Sequence, residues 1–228
     1  FTSYFTRESE QINYENDISI SHSDSYGTLA SVFGRGIFRF DSTTMQFSKI
    51  AFDHASQQSS LSIKRIHLVD NHAYCITGSG QVIMMSGNRL EEILQLPLTG
   101  TLSSSISVLI NRRPYILITQ RAGAALMVDL EAKEVQQLRI PDDIITSFSL
   151  LQEKNRLWTG TEKGRIYSFN LLTRNFEVLN ILSDLFVNNP IATRVLSIYE
   201  SEHLFYGSRE CFLQSDMPTD LMKGTYSG

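Results

Sequence analysis

The sequence contains no run near the roughly 18 consecutive apolar residues that a membrane-spanning helix requires. It has no basic block either. The net charge of −4 over 228 residues argues against a nucleic-acid-binding domain, whose footprint is a clustered positive face. There are five prolines and few uninterrupted charge runs, so no disordered tail is indicated. Only two cysteines occur, Cys75 and Cys211, far apart and in neither a metal-binding nor a redox spacing. Two buried free thiols are the simpler reading, and a disulfide joining distant segments is the other. The chain starts at Phe1 rather than Met, which leads us to expect a processed or truncated piece and makes a missing secretion signal uninformative.

Catalytic and cofactor signatures are scarce as well. No Gly-x-Ser-x-Gly elbow occurs among the many serines, and Ser79, between Gly78 and Gly80, reads as a turn residue. Gly34-Arg-Gly36 is too short for a phosphate loop. Of the five histidines (22, 54, 67, 72 and 203), His67 and His72 share a hairpin. No carboxylate or cysteine at a suitable spacing completes a zinc site with them. We expect neither a metal nor a cofactor.

What the sequence does contain is repetition, in a chain whose 42% apolar content suits a soluble globular protein. The single tryptophan lies in Arg156-Leu-Trp-Thr-Gly-Thr-Glu-Lys-Gly-Arg-Ile-Tyr-Ser-Phe-Asn170, two alternating strands about a tight turn. Gly36-Ile-Phe-Arg-Phe-Asp41 and Ala124-Ala-Leu-Met-Val-Asp129 align with Arg165–Asn170, and Gln81–Ser86 and Cys211–Asp216 are weaker copies. The anchors 41, 86, 129, 170 and 216 are 45, 43, 41 and 46 residues apart, the period of four-stranded propeller blades. After Asp41 and Asn170 the same turn follows. An Asp or Asn opens it because its side chain accepts hydrogen bonds from amides two or three residues on.

A short apolar run precedes each anchor hairpin: 18–20, 63–68, 105–110, 145–150 and 194–198. Four strands per unit result; in the fourth they are 145–150, 156–160, 165–169 and 176–179. Period-two alternation dominates, and helical spacing appears at most briefly around 181–187. A lone four-stranded blade cannot bury both faces, whereas stacked blades bury each against a neighbour. The sequence therefore predicts an all-β propeller of four-stranded antiparallel blades, with about five blades at 13–53, 59–98, 103–141, 144–182 and 192–228. They form either part of a seven-bladed ring or a small closed one. Trp158, Phe40, Tyr167 and Phe169 are expected to pack between blades.

Leu157-Trp-Thr-Gly-Thr-Glu-Lys-Gly164, with Ile166-Tyr-Ser-Phe-Asn170 and Thr173-Arg-Asn-Phe176, resembles the two-component-regulator propeller repeat. Ala192–Glu200 is similar to that family's innermost strand, and Tyr4–Glu10 with Asn16–Ile20 to its joint between blades. The second and third units depart from the pattern: Leu-Trp becomes Ala73-Tyr74 and Tyr115-Ile116, and Gly-Thr becomes Thr119-Gln120. The resemblance implies the periplasmic sensor of a hybrid two-component histidine kinase that detects oligosaccharides and controls polysaccharide-utilisation genes. It also implies a homodimer, attached to the membrane only through segments absent from this chain. The kinase activity would likewise lie elsewhere, so this fragment is not expected to be an enzyme.

Two alternatives remain. A carbohydrate-active enzyme needs two carboxylates converging on one bond. The only adjacent acidic pairs are Glu91-Glu92 and Asp142-Asp143. Neighbours on a strand point to opposite faces, so neither pair converges unless it lies in a loop. The innermost strands as read above carry no acidic residue. A propeller scaffold binding a protein partner is the other alternative. For the sensor, strand directions place the second-to-third-strand turns and the links between blades on one rim. Arg35, Arg121, Lys163, Arg165 and Arg209 recur at those turns. They are either solvated turn charges or a cationic rim that hydrogen-bonds sugar hydroxyls or carboxylates.

Overall fold

Period-two alternation becomes paired strands throughout the computed structural model, which describes residues 18–53, 62–121, 123–151, 155–179, 195–200, 203–208 and 212–218. The first sheet is β1 (Ile18–Ser23), β2 (Gly27–Val32), β3 (Gly36–Asp41) and β4 (Gln46–Lys49). The second is β5 (Ile63–Val69), β6 (His72–Thr77), β7 (Gln81–Ser86) and β8 (Arg89–Gln95). The third comprises β9 (Thr101–Ile110), β10 (Arg113–Arg121), β11 (Ala125–Asp129) and β12 (Glu134–Leu138). The fourth comprises β13 (Ile145–Leu151), β14 (Arg156–Thr161), β15 (Ile166–Asn170) and β16 (Phe176–Leu179). Among the described residues the fifth sheet holds three strands, β17 (Val195–Glu200), β18 (His203–Ser208) and β19 (Phe212–Pro218). Every sheet is an antiparallel meander in chain order, and no helix occurs among the described residues. The fold is an all-β propeller of such sheets.

The repeat is carried at the level of single positions. Asp41, Ser86, Asp129 and Asn170 each close the third strand of their sheet, and Phe40, Met85, Val128 and Phe169 each precede that end. In the fifth sheet β19 runs past the anchor Asp216 to Pro218, so the ruler slips there. The Oδ1 of Asp41 accepts the Thr43 amide at 2.8 Å; that of Asn170 accepts the Leu172 and Thr173 amides at 2.9 and 3.1 Å. Hydrogen bonds from Thr43 and Thr44, the Thr43 amide first, hold the Asp41 carboxyl below the usual carboxylate range. Four residues beyond the anchors Asp41, Asp129 and Asn170 the backbone turns left-handed, at Met45, Lys133 and Arg174 (φ 55°, 57° and 60°).

The first two sheets form one compact unit, and the last three, apart from short edge segments, form another. In the first unit Leu29 and Ile37 pack against Ile63, Ile66, Cys75 and Ile83 of the next sheet. The serines of β1 explain its polar alternation: Ser19 and Ser21 Oγ accept the Ile66 and Leu68 amides of β5, each at 3.1 Å. Hydroxyls thus satisfy amides that the inner edge of a sheet would otherwise leave unpaired. Cys75 is a free, fully buried thiol, its pKa pushed up to about 12 by that burial. Cys211 lies outside the described residues.

In the second unit Leu117 and Met127 of the third sheet meet Leu157, Tyr167 and Phe169 of the fourth. Phe169 has no exposure and lies 4.5 Å from Phe176, centroid to centroid; Tyr167 meets Phe176 edge-on at 6.3 Å. Burying one such side chain contributes about 2–3 kcal/mol. Trp158, on the opposite face of β14 from Leu157, is 5% exposed. It is therefore a packing residue, not a platform for a ligand. In the first unit Phe40 is only partly buried, at the margin of a cluster of Ala30, Val32, Phe38 and Phe47.

Candidate functional site

Each second-to-third-strand turn is built from a residue at the end of the second strand, Val32, Thr77 and Thr161, and in the third sheet the repeat aligns Gln120, one residue before the end of β10, with them. In three sheets the turn has the same backbone bond: the amides of Arg35, Gly80 and Gly164 donate to the carbonyls of Val32, Thr77 and Thr161 at 2.9, 3.1 and 3.2 Å. The threonines add a side-chain lock. Thr77 Oγ1 accepts the Gln81 amide at 3.0 Å, and Thr161 Oγ1 accepts the Arg165 amide at 3.0 Å and donates to its carbonyl at 3.1 Å.

Gln120 occupies that place in the third sheet, and its longer side chain reaches further. The buried carboxamide Oε1 accepts the Thr99 and Gly100 amides at 2.8 and 3.0 Å; Nε2 donates to the Ala124 carbonyl at 2.7 Å. One side chain thereby ties the β8–β9 link to the β10–β11 turn. The approach is so close that a Cβ on Gly100 would collide with the Arg121 carbonyl oxygen. Thr119 beside it, fully buried, donates towards the Thr146 and Ser104 carbonyls at 3.3 and 3.4 Å.

The β12–β13 link arrives at the same edge. Asp143 pairs with Ile140 in an isolated bridge, and its Oδ1 accepts the amides of Ile144 at 2.9 Å and Lys163 at 3.2 Å. The Glu162 amide donates to the Ile144 carbonyl at 2.9 Å, closing the link onto the β14–β15 turn. Between this link and the β10–β11 turn lies a recess of about 360 Å³, lined by Thr99, Gly123, Ala124, Gln137, Arg139 and Asp143 among others. Leu138, Ile140 and Ile145 supply its apolar floor. Arg139 is oriented by Gln137, whose Oε1 accepts from its Nη2 and Nε at 2.6 and 3.2 Å.

The rim cations of the sequence reading fall as follows. Lys163 and Arg165 share the β14–β15 turn, both exposed. The Arg165 guanidinium is held above its ordinary range, first by its hydrogen bond and charge interaction with Tyr167, then by Asp143 and Asp142. Arg121 is exposed at the end of β10. Arg35, half-buried, lies in the β2–β3 turn of the first unit. Arg209 lies outside the described residues. The structure thus brings Lys163 and Arg165 together, with acidic neighbours that temper their charge.

Two sequence readings need adjustment. Asp142-Asp143 lies in a link, where the opposite-face argument for strand neighbours does not apply; Glu91-Glu92 lies in β8, where it does. The innermost strand of the fifth sheet reaches Glu200, so the reading that stopped at residue 198 missed an acidic strand end. The sequence reading also passed over Gln120 and Asp143 as site builders. A polar residue where the repeat expects threonine, and an acid 20 residues before a Lys-Gly turn, were the available signals.

Neither a family model nor a curated protein matches the sequence. Solved structures do match in fold. The β-propeller domain of Cps50 (Swd1) from Myceliophteria thermophila superposes with a TM-score of 0.61 at 11% identity, over 86% of this chain and 64% of that one. The WD40 repeats of RRP9 give 0.61 at 8% identity, over 86% and 58%. The computationally designed protein Ika8 gives 0.56 at 11%, over 83% and 54%. The chain therefore spans less than two thirds of each of these. At such identities the likeness concerns the fold, and the fold is that of a β-propeller with WD40-like sheets.

Proposed function

We propose that this chain is a non-catalytic binding propeller whose turn-bearing rim takes a hydroxyl-rich ligand. In the finer reading it is the periplasmic sensor of a hybrid two-component regulator that responds to oligosaccharides. The observation that carries the proposal is the polar recess in the second unit, whose walls are cross-tied by Gln120 and Asp143 and flanked by exposed Lys163 and Arg165. Walls held by hydrogen bonds lose little freedom on binding, and small-molecule sites combine an apolar floor with a few fixed polar groups. Membership of a sensor follows from the Leu157–Phe176 resemblance. With it come a homodimer and a ligand that favours one dimer arrangement over another. Calorimetric titration of the chain against pools of neutral oligosaccharides tests this: saturable heat supports the reading, and no heat with any pool refutes it.

A second reading, a scaffold that docks a protein partner, is favoured by the β-propeller and WD40-repeat structures that the fold resembles. It predicts capture of a folded partner at the rim and indifference to sugars.

A further inference from the structure

We propose that Asp143 is the ligand-anchoring residue of the recess, and that the recess takes a neutral group offering both hydrogen-bond donors and acceptors, a pair of neighbouring hydroxyls, rather than a charged one. This deepens the reading of the rim as a ligand surface and rests on it. One oxygen of Asp143 is committed: Oδ1 receives the Ile144 and Lys163 amides. The other, Oδ2, is buried and has no hydrogen-bond partner. A carboxylate oxygen kept from water without a partner is destabilising, so an orphan at the wall of a recess is an acceptor awaiting a donor. Asp143 itself lines the recess, and the terminal torsion of an aspartate is broad.

The surroundings select the kind of donor. Arg139, on the same wall, has its guanidinium steered by Gln137, and Arg165 interacts with the Asp143 charge. A cationic ligand would meet two guanidinium groups, and an anionic one would meet the carboxylate. A neutral diol instead donates to Oδ2 and accepts from Arg139, while its carbon face rests on Leu138 and Ile140. The volume of about 360 Å³ lies near the lower end of the ordinary small-molecule range, enough for one or two sugar rings.

The test titrates the wild-type chain, Asp143→Asn and Lys49→Ala, an exposed change in β4, with three probes: a neutral oligosaccharide pool, an oligogalacturonate and N-acetyl-arginine amide. Asparagine keeps an acceptor for the Ile144 and Lys163 amides but puts a donor amide where Oδ2 was. The proposal expects binding of the neutral pool by the wild type, at least tenfold weaker binding by Asp143→Asn, and unchanged binding by Lys49→Ala. In wild-type NMR spectra the neutral pool should shift the Gly123, Ala124 and Ile144 amides, a readout independent of how the variants fold. Neutral-pool binding that Asp143→Asn leaves intact, or shifts only elsewhere, overturns the Asp143 site and spares the rim reading. Preference for either charged probe overturns the neutral-ligand inference. No binding of the neutral pool by the wild type overturns both.

Discussion

The side-chain oxygen of Thr161 lies 3.0 Å from the amide nitrogen of Arg165, and that of Thr77 lies 3.0 Å from the amide of Gln81, the same lock in the fourth and the second sheet. Thr161 has no solvent exposure, so water cannot replace the hydroxyl. Thr161→Val keeps the shape and removes the lock. It should lower stability by about 1–2 kcal/mol in urea unfolding, the cost of leaving a buried polar partner unpaired. Thr77→Val should behave alike. A valine variant as stable as wild type would show that the backbone bond alone holds the turn.

Gly100 gives a harsher case. Its Cβ position is filled by the Arg121 carbonyl, which is backbone and cannot swing aside. Gly100→Ala must push the β8–β9 link away from the β10–β11 turn and break the Gln120 bonds to Thr99 and Gly100. We expect about 3 kcal/mol of destabilisation, in the range of combined overpacking and lost buried hydrogen bonds. Ligand binding at the recess should fall with it. Thermal melts and the oligosaccharide titration check both parts.

His67 links stability to pH. It is 6% exposed in β5, and burial, aided by the Arg65 charge, lowers its pKa to about 4 from 6.5. The unfolded chain therefore binds this proton at higher pH than the folded one. Stability from the neutral ring is complete above pH 6.5, falls as pH drops from 6.5 towards 4, and levels off below. The loss amounts to about 3 kcal/mol at 1.36 kcal/mol per pKa unit. Urea midpoints for wild type and His67→Leu should diverge in slope across that window. Parallel profiles would mean the ring finds a partner for its charged form.

Much of this was legible in the sequence because blades reuse positions. The fourth-unit strands read at 145–150, 156–160, 165–169 and 176–179 match β13–β16 to within a residue, since alternation, the Gly-flanked turn and the Asn170 turn all agree there. The strand β9 is longer than its reading by four residues, because Thr101-Leu-Ser-Ser lacks strong apolar alternation yet pairs with β10. The recess was not legible. It depends on what the Gln120 and Asp143 side chains reach across chain separations of about twenty residues, and strand periodicity carries no information about such contacts.

Met45 spends a left-handed backbone conformation on a side chain that is 55% exposed. For a residue with a Cβ that conformation costs about 1–2 kcal/mol, which glycine avoids while losing more entropy on folding. The balance predicts a net gain of about 0.5 kcal/mol for Met45→Gly and almost none for Met45→Ala, read from urea midpoints. A glycine variant less stable than wild type would mean that the methionine side chain packs usefully despite its exposure.

Phe169 and Phe40 occupy matching places in the repeat, yet they should not cost the same to remove. Phe169 has no exposure, stacks 4.5 Å from Phe176 and joins the third sheet to the fourth. Phe40 lies 5.1 Å from Phe47 at the margin of its cluster and is only partly buried. Removing a buried phenylalanine loses its transfer free energy and leaves a cavity, about 3–5 kcal/mol in all; at a margin the neighbours and solvent close the gap, and about half of that is expected. If Phe40→Ala and Phe169→Ala shift the urea midpoint equally, energy follows position in the repeat. A loss at Phe169 at least twice that at Phe40 would mean that it follows burial, which is the outcome the packing dictates.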